Sequence, residues 1–173
     1  MDAVRALQQW VREYLCQPHA QLGRAGPVCP YVPLALSRGH LFAVLWGERP
    51  MDLAGMMGGM RAYRRWFEHL GPDMGQRALM VIFPDIHGHD VHGLVDSVQR
   101  RLKSEFVDRG LMIGEFHSGP PAAPGLHNAD FRPLRSPLPM LAIRAMVPSD
   151  LPFLRGDTRH CAAYRARFGK EPR

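Results

Sequence analysis

Apolar positions recur at helical spacing at the start of the chain. Val4, Leu7, Val11 and Tyr14, with Leu15, share one side, and Gln8, Gln9, Arg12 and Glu13 fall elsewhere. This pattern predicts an amphipathic helix over residues 3–16, ended by Pro18. Gly23 to Pro33 (GRAGPVCPYVP) carries two glycines and three prolines and predicts a shaped loop. The apolar run His40–Trp46 predicts a buried strand. Leu53, Met56, Met60, Tyr63, Phe67 and Leu70 then repeat at three- and four-residue intervals, a second helix with one buried face. Gly58–Gly59 in its middle marks a kink or a close approach.

Ala78–Phe83 reads as a strand, and Val91–Asp108 as a helix that buries Leu94, Val95, Val98, Leu102 and Phe106 before a Gly110 cap. Leu111–Phe116 and Met140–Val147 are two more buried strands, and His160–Phe168 a short basic helix. The order predicts an α/β fold: a single layered domain over residues 1–173, a sheet of about four strands, packed helices and a long Pro-rich loop. The N-terminal helix belongs to residues 1–20, and residues 155–173 form a basic C-terminal tail. Sheet order is not legible from the pattern.

The long loop joins the last two strands. It holds His117, His127, Asn128, Asp130, Arg132 and Arg135, with Pro120, Pro121, Pro124, Pro133, Pro137 and Pro139 stiffening its backbone. So long a connection in a compact domain is either an ordered functional loop or a disordered one, and a braced loop holds side chains in place.

Charge and composition narrow the partners. The formal net charge is +6, from 22 Lys and Arg against 16 Asp and Glu, which favours anionic ligands. The cations are scattered among Arg64–Arg65, Arg100, Arg101 and Lys103, and the tail from Arg159, so no nucleic-acid footprint is expected. No apolar run approaches the roughly 20 residues of a membrane helix, and the N-terminus has no secretory pattern. A cytoplasmic protein acting on a small-molecule substrate is the expectation, with homodimerisation open. Cys16, Cys29 and Cys161 form no paired motif, which fits a reducing compartment.

Three places carry candidate chemistry. His87, His89, Asp90 and His92 lie within six positions between a strand and a helix, a spacing able to bind zinc or iron. It is similar to the His-x-His-x-Asp-His signature of metallo-β-lactamase-type hydrolases, with Asp90 one position early. As a structural feature alone, the same stretch is a polar loop with Asp90 near a helix start. Cys29, braced by Pro27 and Pro30, is a candidate thiolate ligand or nucleophile, or a buried inert thiol. His127 is a candidate imidazole ligand upstream of Arg132 and Arg135, or a histidine hydrogen-bonded within its loop.

The blocks GPVCPYVPLAL, HLFAVLW, ALMVIFPD and GLMIGEFHSGPPAAPGLHNADFRPLRSPLPMLAIRAMVPSD resemble an actinobacterial domain family of unknown function. Their order also resembles, more distantly, the small bacterial haem-binding N-oxygenases grouped as YqcI/YcgG-like. The matching positions are Cys29-Pro30-Tyr31, Leu79–Phe83, His127, Arg132, Arg135-Ser136 and Arg144, with Tyr31 in place of Phe and Pro137 where an arginine is expected. The resemblance implies a haem b protein, an oxygenase acting on a small amine in specialised metabolism. His127 would be the proximal iron ligand and Cys29 the competing one. Arg132 and Arg135 would hold the propionates, and Met56, Met57, Met60 and Phe116 would help form an apolar pocket. The other expectations are a metal-dependent hydrolase built on His87, His89, Asp90 and His92 with zinc, and a non-catalytic accessory binding protein.

Overall fold

A computed structural model describes residues 2–47, 52–71, 77–122 and 128–169. Helix α1 (Ala3–Trp10) opens on Asp2, whose carboxylate accepts the Val4 N–H at 3.1 Å, and runs on as a π-helical turn over Val11–Leu15. The expected loop over Gly23–Pro33 gives way early to a short helix, α2 (Val32–Ser37). Pro33 sits in its first turn, where a missing N–H costs nothing. Strand β1 (Leu41–Leu45) leads into helix α3 (Leu53–His69), whose start is capped by Asp52 accepting the Gly55 N–H at 2.7 Å. Gly59 is the close-approach half of the glycine pair: a Cβ there would lie 2.1 Å from the Trp46 indole.

Strand β2 (Ala78–Ile82) follows, then a helical stretch with a π turn at His92–Asp96 continuing as α4 (Ser97–Val107). Strands β3 (Leu111–Phe116) and β4 (Met140–Ala145) flank the long loop, and α5 (Thr158–Phe168) closes the described chain. The sheet order is β1-β2-β4-β3, with β1 and β2 parallel and the other pairs antiparallel. The fold is therefore mixed α/β with one open four-stranded sheet. Among the described residues no helix is long and apolar enough to cross a membrane.

Strand alternation divides the core into two layers. On one face Leu79, Val81, Leu111, Ile113, Leu141 and Ile143 pack against α3 and α4. Met56 and Met60 are fully buried in this layer and fill it rather than line a pocket. On the other face Met80, Ile82 and Met140 meet Leu7, Trp10, Val11 and Leu15 of the N-terminal arm. That arm also holds the long loop: Trp10 Nε1 donates to the Arg135 carbonyl at 3.0 Å and Tyr14 Oη to the Arg132 carbonyl at 3.3 Å.

Candidate functional site

β3 is an edge strand, and its direction of travel delivers His117 to the helical face. Leu111, Ile113, Glu115 and His117 share one side of the extended chain, the side on which α4 lies. The backbone at His117 is fixed by the loop's return, where the Ser136 N–H donates to its carbonyl at 2.9 Å. Its imidazole is 2% exposed and meets Asp96, with Nε2 at 2.8 Å from Oδ1. The other carboxylate oxygen of Asp96 takes His92 Nδ1 at 2.8 Å, four residues back across the π turn. The two rings stand edge to face with centroids 4.9 Å apart. One ligating atom from each of His92, Asp96 and His117 lies within 4.8 Å of the others, a group able to hold a metal ion.

The proton positions follow from the partners. The Gly119 N–H donates to His117 Nδ1 at 3.2 Å, so that nitrogen carries the lone pair and Nε2 carries the proton given to Asp96. His92 donates from Nδ1, which leaves its Nε2 lone pair free on a side chain 59% exposed. Two residues before His117, the Glu115 carboxyl is pushed up to about 7 by burial, and the charge of Asp96 adds to the rise. Its own backbone N–H and Lys103 oppose it.

On the opposite face the sheet has a hollow floor. Register aligns Gly114, Ala142 and Met80 across three strands, with Ala78 and Arg144 in the next row. Gly114, Ala78 and Ala142 carry little or no side chain to fill the space beside Met80, and a cavity of about 550 Å³ lies between this floor and Leu15, Leu22, Val28 and Val32. It wraps the open edge of β3 as far as Gln99, Lys103 and Glu115. Phe116 and, past His117, Pro121 and Ala122 also line it, so the chain on both sides of His117 borders the cavity. At one end Arg144 is fixed by Asp150 through two hydrogen bonds of 2.7 and 2.5 Å and lies over the Tyr31 ring, 5.4 Å from its centroid. Burial pushes the Tyr31 phenol up to about 12, and its hydroxyl donates to the Arg77 carbonyl at 2.8 Å.

The family model described as Domain of unknown function (DUF6875) matches residues 4–173. The chain belongs to the DUF6875 family. Comparisons with curated proteins and with solved structures gave no match. The description of the DUF6875 family names no activity.

Of the histidine cluster, only His92 joins the group. His87, His89 and Asp90 are exposed on the turn before it, which is bonded within itself by the Asp90 N–H to the His87 carbonyl at 3.3 Å. Asp96 and His117 are the partners that sequence reading left out. The signal for the first was a His and an Asp four apart on one helix. His117 had only its place at the end of an apolar run. Cys29 lines the cavity, its N–H bonded to the Leu15 carbonyl at 3.0 Å. Arg132 spends its guanidinium on the Ala129 and Phe131 carbonyls at 2.6 and 3.3 Å, and the Arg135 side chain is exposed. Neither is among the cavity's described lining residues. His127 lies outside the described residues.

Proposed function

We propose that this protein is a zinc-dependent hydrolase whose metal is held by His92, Asp96 and His117 and whose small-molecule substrate occupies the adjoining cavity. The supporting observation is the convergence of three ligating atoms within 4.8 Å. Two imidazoles and a carboxylate are a donor set of catalytic zinc sites, which keep a fourth position open. Bonds of 2.0–2.1 Å in a tetrahedron set ligand atoms about 3.4 Å apart. A small contraction of the group suffices, and the exposed His92 is the member free to make it.

The hydrogen bonds oppose this only weakly. Ligation through His117 Nε2 would replace its 2.8 Å hydrogen bond to Asp96, move the proton to Nδ1 and break the 3.2 Å bond from Gly119. The two losses cost about 2–4.5 kcal/mol together, against apparent zinc binding energies of roughly 10 kcal/mol in structural sites. Bound zinc supplies Lewis-acid polarisation of water or a carbonyl. Asp96, as the carboxylate ligand, would neutralise part of the added charge. The same donors suit iron(II), and metal analysis separates the two.

The test is metal content of the purified protein after growth with zinc. We expect close to one zinc per chain, lost in His117→Ala and kept in His89→Ala. Zinc retained by His117→Ala, or none in the wild type, overturns the assignment. A haem reading has one observation of its own, the Cys29 thiol on the cavity wall. It requires a Soret band in protein produced with haem, abolished by Cys29→Ala; no band ends it.

A further inference from the structure

The geometry points to an amphiphilic carboxylate, a small molecule with an apolar body and one anionic head, as the occupant of the cavity beneath the N-terminal arm. This rests on the reading of that cavity as the substrate site and adds the substrate's class: the carboxylate is the head by which the molecule is held, and the hydrolysable bond lies elsewhere on it.

The floor of the cavity suits an apolar body. Gly114 lies mid-strand, where glycine weakens a sheet, and nothing in its packing demands one. An added Cβ would meet only Phe116 Cε2, at 3.4 Å, an ordinary contact. The space above Gly114 is the cavity itself. Ala142 beside it is similarly small on a central strand whose other inward neighbour, Met140, is fully buried. A void of about 550 Å³ with this lining falls within the roughly 300–1,000 Å³ range of small-molecule sites. Left unfilled, it forfeits the contacts that stabilise an interior.

The charges on the cavity wall suit an anionic head. Arg24, Lys103 and Arg144 line the cavity against Glu115 and Asp150. Among the described residues, Arg144 alone of the three has a carboxylate within ion-pair distance, Asp150. Arg24 donates to the carbonyls of Ala25, Pro27 and Val28, and Lys103 to that of Phe153 at 2.8 Å. Among the described residues neither cation is in an ion pair, and an anion entering the cavity they line is attracted.

Calorimetric titration tests this on the full chain, both as purified and after EDTA, with decanoate and 2-naphthoate as probes and their alcohols, 1-decanol and 2-naphthalenemethanol, as neutral counterparts. We expect at least one acid to bind, at least 10-fold more tightly than its alcohol. Gly114→Leu fills the floor and weakens binding at least 10-fold, with Ala142→Val as a second filling variant should the first not fold. Arg24→Gln narrows the gap between acid and alcohol. Neither acid binding, an alcohol binding as tightly as its acid, or filled variants binding unchanged overturns the proposal. Binding that persists after EDTA shows the cavity acting without the metal, so failure of the zinc assignment and failure of this one are separate results.

Discussion

Removing the negative partner of Arg144 is the sharpest structural perturbation the fold offers. Asp150 is 2% exposed, and its carboxylate takes both terminal nitrogens of Arg144 together with the Val147 N–H at 2.8 Å. Breaking a buried pair by deleting one partner costs about 3–5 kcal/mol, because the remaining charge is left uncompensated. Arg144 is 24% exposed, so water reaches part of the guanidinium and the lower end applies. Asp150→Asn preserves shape and one acceptor, and should cost about 3 kcal/mol. The double replacement Arg144→Met with Asp150→Leu removes both charges and should return to within about 1 kcal/mol of wild type, since apolar substitutes for a buried pair are often neutral. Urea unfolding at pH 7 reads both, with the slope held constant as a check on two-state behaviour. A loss under about 1 kcal/mol in Asp150→Asn would place the pair with exposed salt bridges and refute the reasoning.

Other expectations follow from single groups. Glu115 is held protonated by burial up to about pH 7, against 4.5 unperturbed, so its favourable contribution is complete below 4.5 and lost as pH rises to 7. At 1.36 kcal/mol per unit the whole penalty is about 3 kcal/mol. Glu115→Gln should match wild type at pH 4 and exceed it by about 2–3 kcal/mol at pH 8 in metal-free urea melts; an equal difference at both values contradicts the assignment. The two glycines of α3 should part company. Gly58→Ala meets nothing within 4 Å and should stabilise by about 0.5–1 kcal/mol, while Gly59→Ala strikes the Trp46 indole and should cost about 1–3 kcal/mol. Thermal melts that move the same way in both variants would show that Trp46 yields freely.

Strands and helices were legible where one element buries a stripe or run of its own: ALMVIF, LMIGEF and the 53–70 repeat each announce themselves locally. What depends on which strands meet was not. The cavity floor exists because Gly114, Ala142 and Met80 come from three strands aligned by register, and β4 inserts between β2 and β3. No local pattern carries that. The metal group divides in the same way. His92 stood out in a dense histidine stretch, but His87 and His89 drew equal notice and a turn sends them to solvent. Asp96 looked like one more polar helix position. His117 arrives 21 positions after it, brought in by the α4–β3 hairpin. Cys29 reached a cavity wall because residues 27–29 pair with the end of the N-terminal arm, the Val28 N–H bonding the Gln17 carbonyl at 2.8 Å.

The most direct test of the metal assignment is an anomalous difference map, collected on either side of the zinc edge from crystals of the protein grown with zinc. The account predicts one strong peak within bonding distance of His92, Asp96 and His117, absent from His117→Ala crystals. A peak on His87 and His89 with none between the three, or an empty map at full zinc loading, would contradict it.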